Sequence, residues 1–332
     1  MRHLTRRAAG HALAAAALFA GAAAFTTSAF AQPYPNKPVR LVVPWPAGGS
    51  TDVLGRALAN DLGKQLGPSF VVDNRPGGAG KIGTAFAAQS PADGYTLYLG
   101  TIANFSVQAA YEPHLLRYDP IKDFAPVVYV ADSPAMLAVN SALPIRNVKE
   151  LREYAARAGR QLSFASAGEG SGYHLMGELF KLQTKLDLLH VPFQGGAPAS
   201  TAVASGQVDM TFDAAGLKAF IDAGKLRPIA VTGNQKWFFV PDTPTFASQG
   251  VHDMEGNSWF AIFVPAGTPQ DIIGRLNAAI NKSLSSAEVQ GVLKANGFIP
   301  VGGTPAALGA MVVKDMAKWK DVVQKANLRA AK

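Results

Sequence analysis

Two glycine-rich turns carry the residues best suited to chemistry. Pro44-Trp45-Pro46-Ala47-Gly48-Gly49-Ser50-Thr51-Asp52 leaves an apolar run and opens a helical pattern. Ser166-Ala167-Gly168-Glu169-Gly170-Ser171-Gly172 does the same further along, with His174 in the first turn of the helix that follows. Glycine lets a backbone approach a ligand closely, and the free N–H groups of a helix start, backed by the helix dipole, attract anions. The same residues also suit an ordinary capped turn, with Ser50 or Thr51 as the cap. Two such turns, one in each α/β half, are more informative than one. If they face each other, they could hold a carboxylate without a buried lysine or arginine. His174 is either a ligand contact or a structural residue. Asp213, just beyond the run Val208–Phe212, is either a helix cap or an acceptor for a ligand amine or hydroxyl.

Other chemistries find little support. Cys is 0, which removes disulfides, thiolate metal sites and cysteine nucleophiles. Beyond the N-terminal segment the histidines are His114, His174, His190 and His252, and no two stand at i, i+4. No H-E-x-x-H zinc site exists, and no serine sits in a G-x-S-x-G elbow. Asp209 and Asp213 are four apart but lie at a strand end, where a carboxylate dyad is not indicated. Gly78-Ala79-Gly80-Lys81-Ile82-Gly83 matches G-x-G-x-x-G, yet no acid follows about 20 residues on to hold a ribose. A tight glycine turn shaping the edge of a cleft is the better reading. No metal and no cofactor are expected.

The N-terminus is set apart from the fold. Arg2, Arg6 and Arg7 precede an Ala/Leu/Phe stretch to about Phe25, and Ser28-Ala29-Phe30-Ala31 ends it with small residues. This is the three-part pattern of a secretory signal, cut after Ala31, and it predicts an exported mature protein. The stretch is mostly alanine, a poor match to the roughly 20 strongly apolar residues of a membrane span. The net charge is +8. Without those three arginines, 28 basic residues stand against 23 acidic ones. They are scattered without a basic stripe, which argues against nucleic acid as a partner.

The whole chain, at 332 residues, suggests two domains. Apolar runs at Val39–Val43, Phe70–Val72 and Tyr95–Leu99 alternate with helical patterns at Thr51–Leu66 and Ile82–Gln89. Runs apolar on both faces point to parallel strands covered by helices, an α/β class. A second series follows, with strands at Met136–Val139, Leu162–Ala165, Val208–Phe212 and Pro228–Val231. Its helices fall at Val148–Arg157, Ser171–Gln183 and Ala215–Ala223, the first with Asn147 and Glu150 as a capping box. After a strand at Trp259–Val264, three helices end the chain. The periodicity of the last, Pro305–Ala326, places Trp319 in the core.

In this frame the chain resembles the substrate-binding proteins of tripartite tricarboxylate transporters, the Bug-type periplasmic receptors, over essentially all of 33–328. The markers are Tyr34-Pro35-Asn36-Lys37-Pro38, the Pro44–Asp52 turn, Val72-Asp73-Asn74-Arg75-Pro76-Gly77-Gly78-Ala79-Gly80 and Asp93-Gly94-Tyr95-Thr96-Leu97. They continue with Val191-Pro192-Phe193-Gln194-Gly195, Pro241-Asp242-Thr243-Pro244-Thr245 and Pro265-Ala266-Gly267-Thr268-Pro269. The resemblance implies a two-domain clamshell, each domain a mostly parallel sheet flanked by helices. One domain would hold 33–135 and 256–332, the other 136–255. It also implies that a small carboxylate binds between Ala47–Asp52 and Ser166–Ser171, near Trp45. Asp213 would contact the distal end of the ligand, with Phe193-Gln194-Gly195 on the opposite wall.

The implied function is non-catalytic capture of a small carboxylate for transporter membrane subunits, by a monomer. A ligand sensor serving a signalling receptor would present the same site. An exported enzyme acting on a small organic acid would need a nucleophile, metal or cofactor site that the sequence does not supply. The aromatic run Trp237-Phe238-Phe239 departs from the family pattern and reads either as packing or as a modified hinge or partner contact.

Overall fold

The computed structural model describes residues 34–254 and 256–328. The export signal and its cut after Ala31 fall outside these residues. The chain opens with β1 (Val39–Val43), α1 (Ser50–Leu66), β2 (Phe70–Asn74), α2 (Lys81–Ala88), β3 (Thr96–Thr101), α3 (Gln108–Tyr111) and β4 (Phe124–Ser133). It continues through β5 (Met136–Asn140), α4 (Val148–Arg157), β6 (Leu162–Ser166), α5 (Gly172–Thr184), β7 (Leu188–Pro192), α6 (Gly196–Ala204), β8 (Met210–Asp213), α7 (Lys218–Asp222) and β9 (Leu226–Val231). Last come β10 (Ser258–Pro265), α8 (Gln270–Leu284), α9 (Ala287–Ala295), β11 (Ile299–Pro300) and α10 (Pro305–Lys325).

Two sheets result, in the orders β11-β4-β10-β3-β1-β2 and β7-β6-β8-β5-β9. They are mixed, not mostly parallel. β1 pairs in parallel with β2 and β3, and β6 with β7 and β8. β10 runs antiparallel between β3 and β4, and β5 antiparallel between β8 and β9. The cause is connectivity. The chain leaves the first sheet after β4, builds the second, and returns through β10 into the middle of the first. Parallel neighbours need a helical crossover, which only the β-α-β runs provide.

The apolar runs behave as their composition demands. Every residue of β3 and β5 is buried, as expected of strands covered on both faces. α1 buries Leu54, Leu58 and Leu62, one stripe at helical spacing. Asn147 caps α4 by accepting the Glu150 N–H at 2.8 Å, the expected capping residue. Trp319 is buried on α10, and its Nε1 donates to Asp315. Trp237 is also fully buried and donates from Nε1 to the Gly297 carbonyl at 2.9 Å, with the Phe239 ring stacked 5.1 Å away. Packing therefore accounts for two of the three residues in the aromatic run. No helix of the described residues is long and apolar enough to cross a membrane.

Candidate functional site

β1 ends at Val43, and the turn to α1 is built around Gly48, whose φ is +84°. Neither Ser50 nor Thr51 caps this helix. Gly49 is the N-cap, and no side chain accepts from the first turn. The N–H groups of Ser50, Thr51 and Asp52 thus have no intrahelical acceptor. Asp52 turns inward instead. It is buried, and its carboxylate accepts from Gly48 N–H, Arg56 Nε and Asn74 Nδ2, each at 2.9 Å. Burial alone would raise its pKa, but Arg56, the Gly48 N–H and Asn74 together hold it below the usual carboxylate value. Asn74, at the end of β2, also donates to the Trp45 carbonyl at 3.1 Å. Asp52 is the tie that shapes the turn.

The second turn is tied by histidine. Ser171 caps α5, its hydroxyl accepting from His174 N–H at 3.2 Å, which leaves the N–H groups of Gly172 and Tyr173 without intrahelical acceptors. His174 Nδ1 accepts from Gly170 N–H at 3.0 Å, and its ring stacks on His190 with centroids 4.0 Å apart. His190 Nε2 in turn meets Ser166 Oγ at 2.7 Å. Burial, reinforced by His190 and Lys181, pushes the pKa of His174 down to about 3. Burial and Lys181 push His190 down to about 4. Both rings stay neutral at neutral pH, and the structure places His174 behind the turn, holding its shape.

This pair makes stability depend on pH. The unfolded histidine titrates near 6.5, so between that value and about 3 the unfolded chain binds the extra proton. The contribution of His174 is fully present above about pH 6.5 and is lost as pH falls toward its folded value. Wild type should therefore lose thermal stability relative to His174→Gln as pH is lowered from about 7 to 4.5. A stability difference that stays constant over that range would contradict the buried neutral assignment.

A third helix start joins the first two, and sequence reasoning passed over it. α6 has Gly195 as its N-cap, with φ +118° and no capping side chain. All three starts border one cavity of about 590 Å³. Its walls include Trp45, Gly49, Ser50 and Thr51 from the first turn, and Ala167, Gly170 and Ser171 from the second, with Gly195 and Asp213. Ala47, Gly48, Asp52, Ser166, Gly168, His174, Phe193 and Gln194 are not on the walls. Gly48 and Gly168 supply positive φ to the turns, and Phe193 packs in the apolar cluster with Met136 and Val231. Ala79 is on the wall, at the centre of the 3-10 turn Gly78–Gly80, so the G-x-G-x-x-G segment shapes the cavity edge.

Further wall residues carried no signal in the sequence. Tyr173, Gln108 and Phe260 come from α5, α3 and β10, Ile102 follows β3 directly, and Glu169 stands exposed on the wall. Among the described residues the wall contains no lysine, arginine or histidine. Asp213 is its one recessed carboxylate. Burial pushes that group above the usual range, against the Ala214 N–H at 2.6 Å and the Tyr173 hydroxyl, which both favour the charged form. A larger open groove of about 1010 Å³ lies elsewhere, lined by Lys37, Arg40, Asp73 and Asp93 among others. Its charges are matched within it, Arg40 with Asp73 and Lys37 with Asp93, both at 3.6 Å.

Residues 54–328 match the family model described as tripartite tricarboxylate transporter family receptor. BugT of Bordetella pertussis is 34% identical over 322 residues, covering 96% of this chain and 98% of that protein. Among solved structures, an R. palustris protein with adipate is 37% identical with a TM-score of 0.79, covering 89% of this chain and 99% of that one. The periplasmic binding protein BugD is 32% identical with a TM-score of 0.75, with coverages of 89% and 99%. MatC from Rhodopseudomonas palustris, with bound malate, is 30% identical with a TM-score of 0.75, covering 87% of this chain and 100% of that one.

Proposed function

Because the chain belongs to the tripartite tricarboxylate transporter receptor family, we propose that it captures a small carboxylate in the periplasm and presents it to the membrane subunits of a transporter. The observation that carries this reading is one cavity onto which three helix starts open and which, among the described residues, no cation lines. An anion at a helix N-terminus gains up to about 2 kcal/mol in a partly buried site. Two such ends supply roughly half of the ~8 kcal/mol behind micromolar affinity. The apolar faces of Trp45, Ile102 and Phe260 contribute through burial of the ligand body.

The two sheets are then the cores of two lobes, 33–135 with 256–332 and 136–255, that close over the ligand. The function is binding and closure without turnover. The chain is exported by its N-terminal signal, and the mature protein begins at Gln32, which N-terminal sequencing of periplasmic material checks.

Thermal unfolding against a panel of carboxylates tests the reading. A ligand that binds only the folded state stabilises it by about 2.7 kcal/mol at 100 times its dissociation constant. The expected result is a clear rise with a mono- or dicarboxylate and a smaller one with citrate, because helix N-termini alone compensate a third charge poorly. The highest affinity for citrate, or no response to any carboxylate by a protein shown to be free of co-purified ligand, would contradict it.

A further inference from the structure

The cavity that receives an anion already contains a carboxylate. Asp213 ends β8 on the cavity wall, and no lysine, arginine or histidine of the described residues lines that wall. Oδ1 accepts from Ala214 N–H at 2.6 Å. The Tyr173 hydroxyl, on the same wall, favours the charged form of Asp213. Oδ2 lies at the start of α6, 3.0 Å from where a Cβ on Gly196 would sit. Among the described residues, Tyr173 is the titratable group that acts on Asp213. Glu169, exposed on the wall, adds further negative charge and no compensation.

An anion placed among the helix starts lies within the same cavity as Asp213. Two carboxylates in one cavity whose described wall carries no cation repel, and the repulsion favours the protonated form of one of them. We propose that Asp213 takes up one proton from solvent when a carboxylate ligand enters, and that its protonated oxygen donates to the distal oxygen of the ligand. Capture is thereby coupled to proton uptake. The inference rests on the carboxylate reading of the cavity. Protonation turns Asp213 from a repelling group into a donor, so the site accepts either an ionised distal carboxylate or a distal carbonyl.

The test is calorimetric titration of the mature protein with adipate, malate and hexanoate, between about pH 6.5 and 8.5, in buffers of different ionisation heat. That range lies above the titration of His174 and His190 in the folded protein. For adipate or malate, uptake should approach one proton per ligand, with affinity falling up to about tenfold per pH unit. Asp213→Asn, which carries a permanent donor, should bind with affinity independent of pH. Tyr173→Phe removes a donor that favours the charged form, so uptake should persist to higher pH. Binding without proton uptake, or an Asp213→Asn variant with the wild-type pH slope, would overturn the proposal while leaving the carboxylate reading intact. No binding of any of the three acids by ligand-free protein would overturn the carboxylate reading itself.

Discussion

Gly170→Ala should remove most ligand affinity while leaving the bulk of the fold standing. Gly170 has a φ of +68°, in the left-handed region where a Cβ costs about 1–2 kcal/mol. A Cβ there would lie 2.6 Å from Cδ1 and 2.8 Å from Cε1 of Tyr111. Tyr111 ends α3, on the part of the chain that builds the first sheet, and Gly170 belongs to the turn before α5 in the second. The added methyl must push the tyrosine away or displace the turn. Displacing the turn also breaks the Gly170 N–H bond to His174 and misaligns the start of α5. Losing one helix end as an anion contact corresponds to up to about 2 kcal/mol, or up to roughly 30-fold in affinity. Both halves keep their cores, so thermal stability should fall by only a few degrees. Adding Tyr111→Ala to Gly170→Ala should restore part of the affinity by removing the clash. A single mutant that binds as tightly as wild type would show that this contact plays no part in capture.

Asp52→Ala should damage both stability and binding. The substitution leaves Gly48 N–H, Asn74 Nδ2 and Arg56 without their shared acceptor. Removing one partner of a buried hydrogen bond costs about 1–3 kcal/mol. Arg56 is more than half exposed and can turn to water, so it adds little. The net expectation is about 2–3 kcal/mol of stability, read from denaturant unfolding. Affinity should fall by about tenfold or more, because Trp45 and the start of α1 lose the tie that positions them against Asn74. Asp52→Asn retains an acceptor and should fall between the two. Lost stability with unchanged affinity would mean that this turn frames the cavity without touching the ligand.

Both glycine turns and the helices that follow them were legible because their signals are local. An apolar run, then glycines and a capping residue, then helical periodicity are all carried by adjacent residues. What the sequence hid depends on distant partners. Asp52 reads as a residue facing the ligand until Asn74, brought alongside by β2, turns it inward. His174 reads as a possible contact until His190 on β7 stacks behind it. α6 was overlooked because Gly195-Gly196-Ala197-Pro198 has the composition of a loop. Proline in the first turn is in fact compatible with a helix start, where its missing N–H has no intrahelical partner to lose. Serine and threonine at the start of α1 suggested a side-chain cap. The actual cap, Gly49, leaves those N–H groups open toward the cavity.

The mixed sheets have the same origin. Trp259–Val264 reads as a strand from its apolar run, but nothing in the run sets its direction. That is fixed by the chain returning from the second sheet to lie between β3 and β4. The absence of cations from the described wall could be anticipated only in outline, from the lack of lysine and arginine in both turns.

The most direct test of carboxylate capture is the crystal structure of the mature protein with the acid that gives the largest thermal shift. A carboxylate within hydrogen-bond distance of N–H groups at the starts of α1 and α5 is the predicted result. A ligand seated in the open groove beside Lys37 and Arg40, or a carboxylate held by an arginine or lysine side chain, would contradict it.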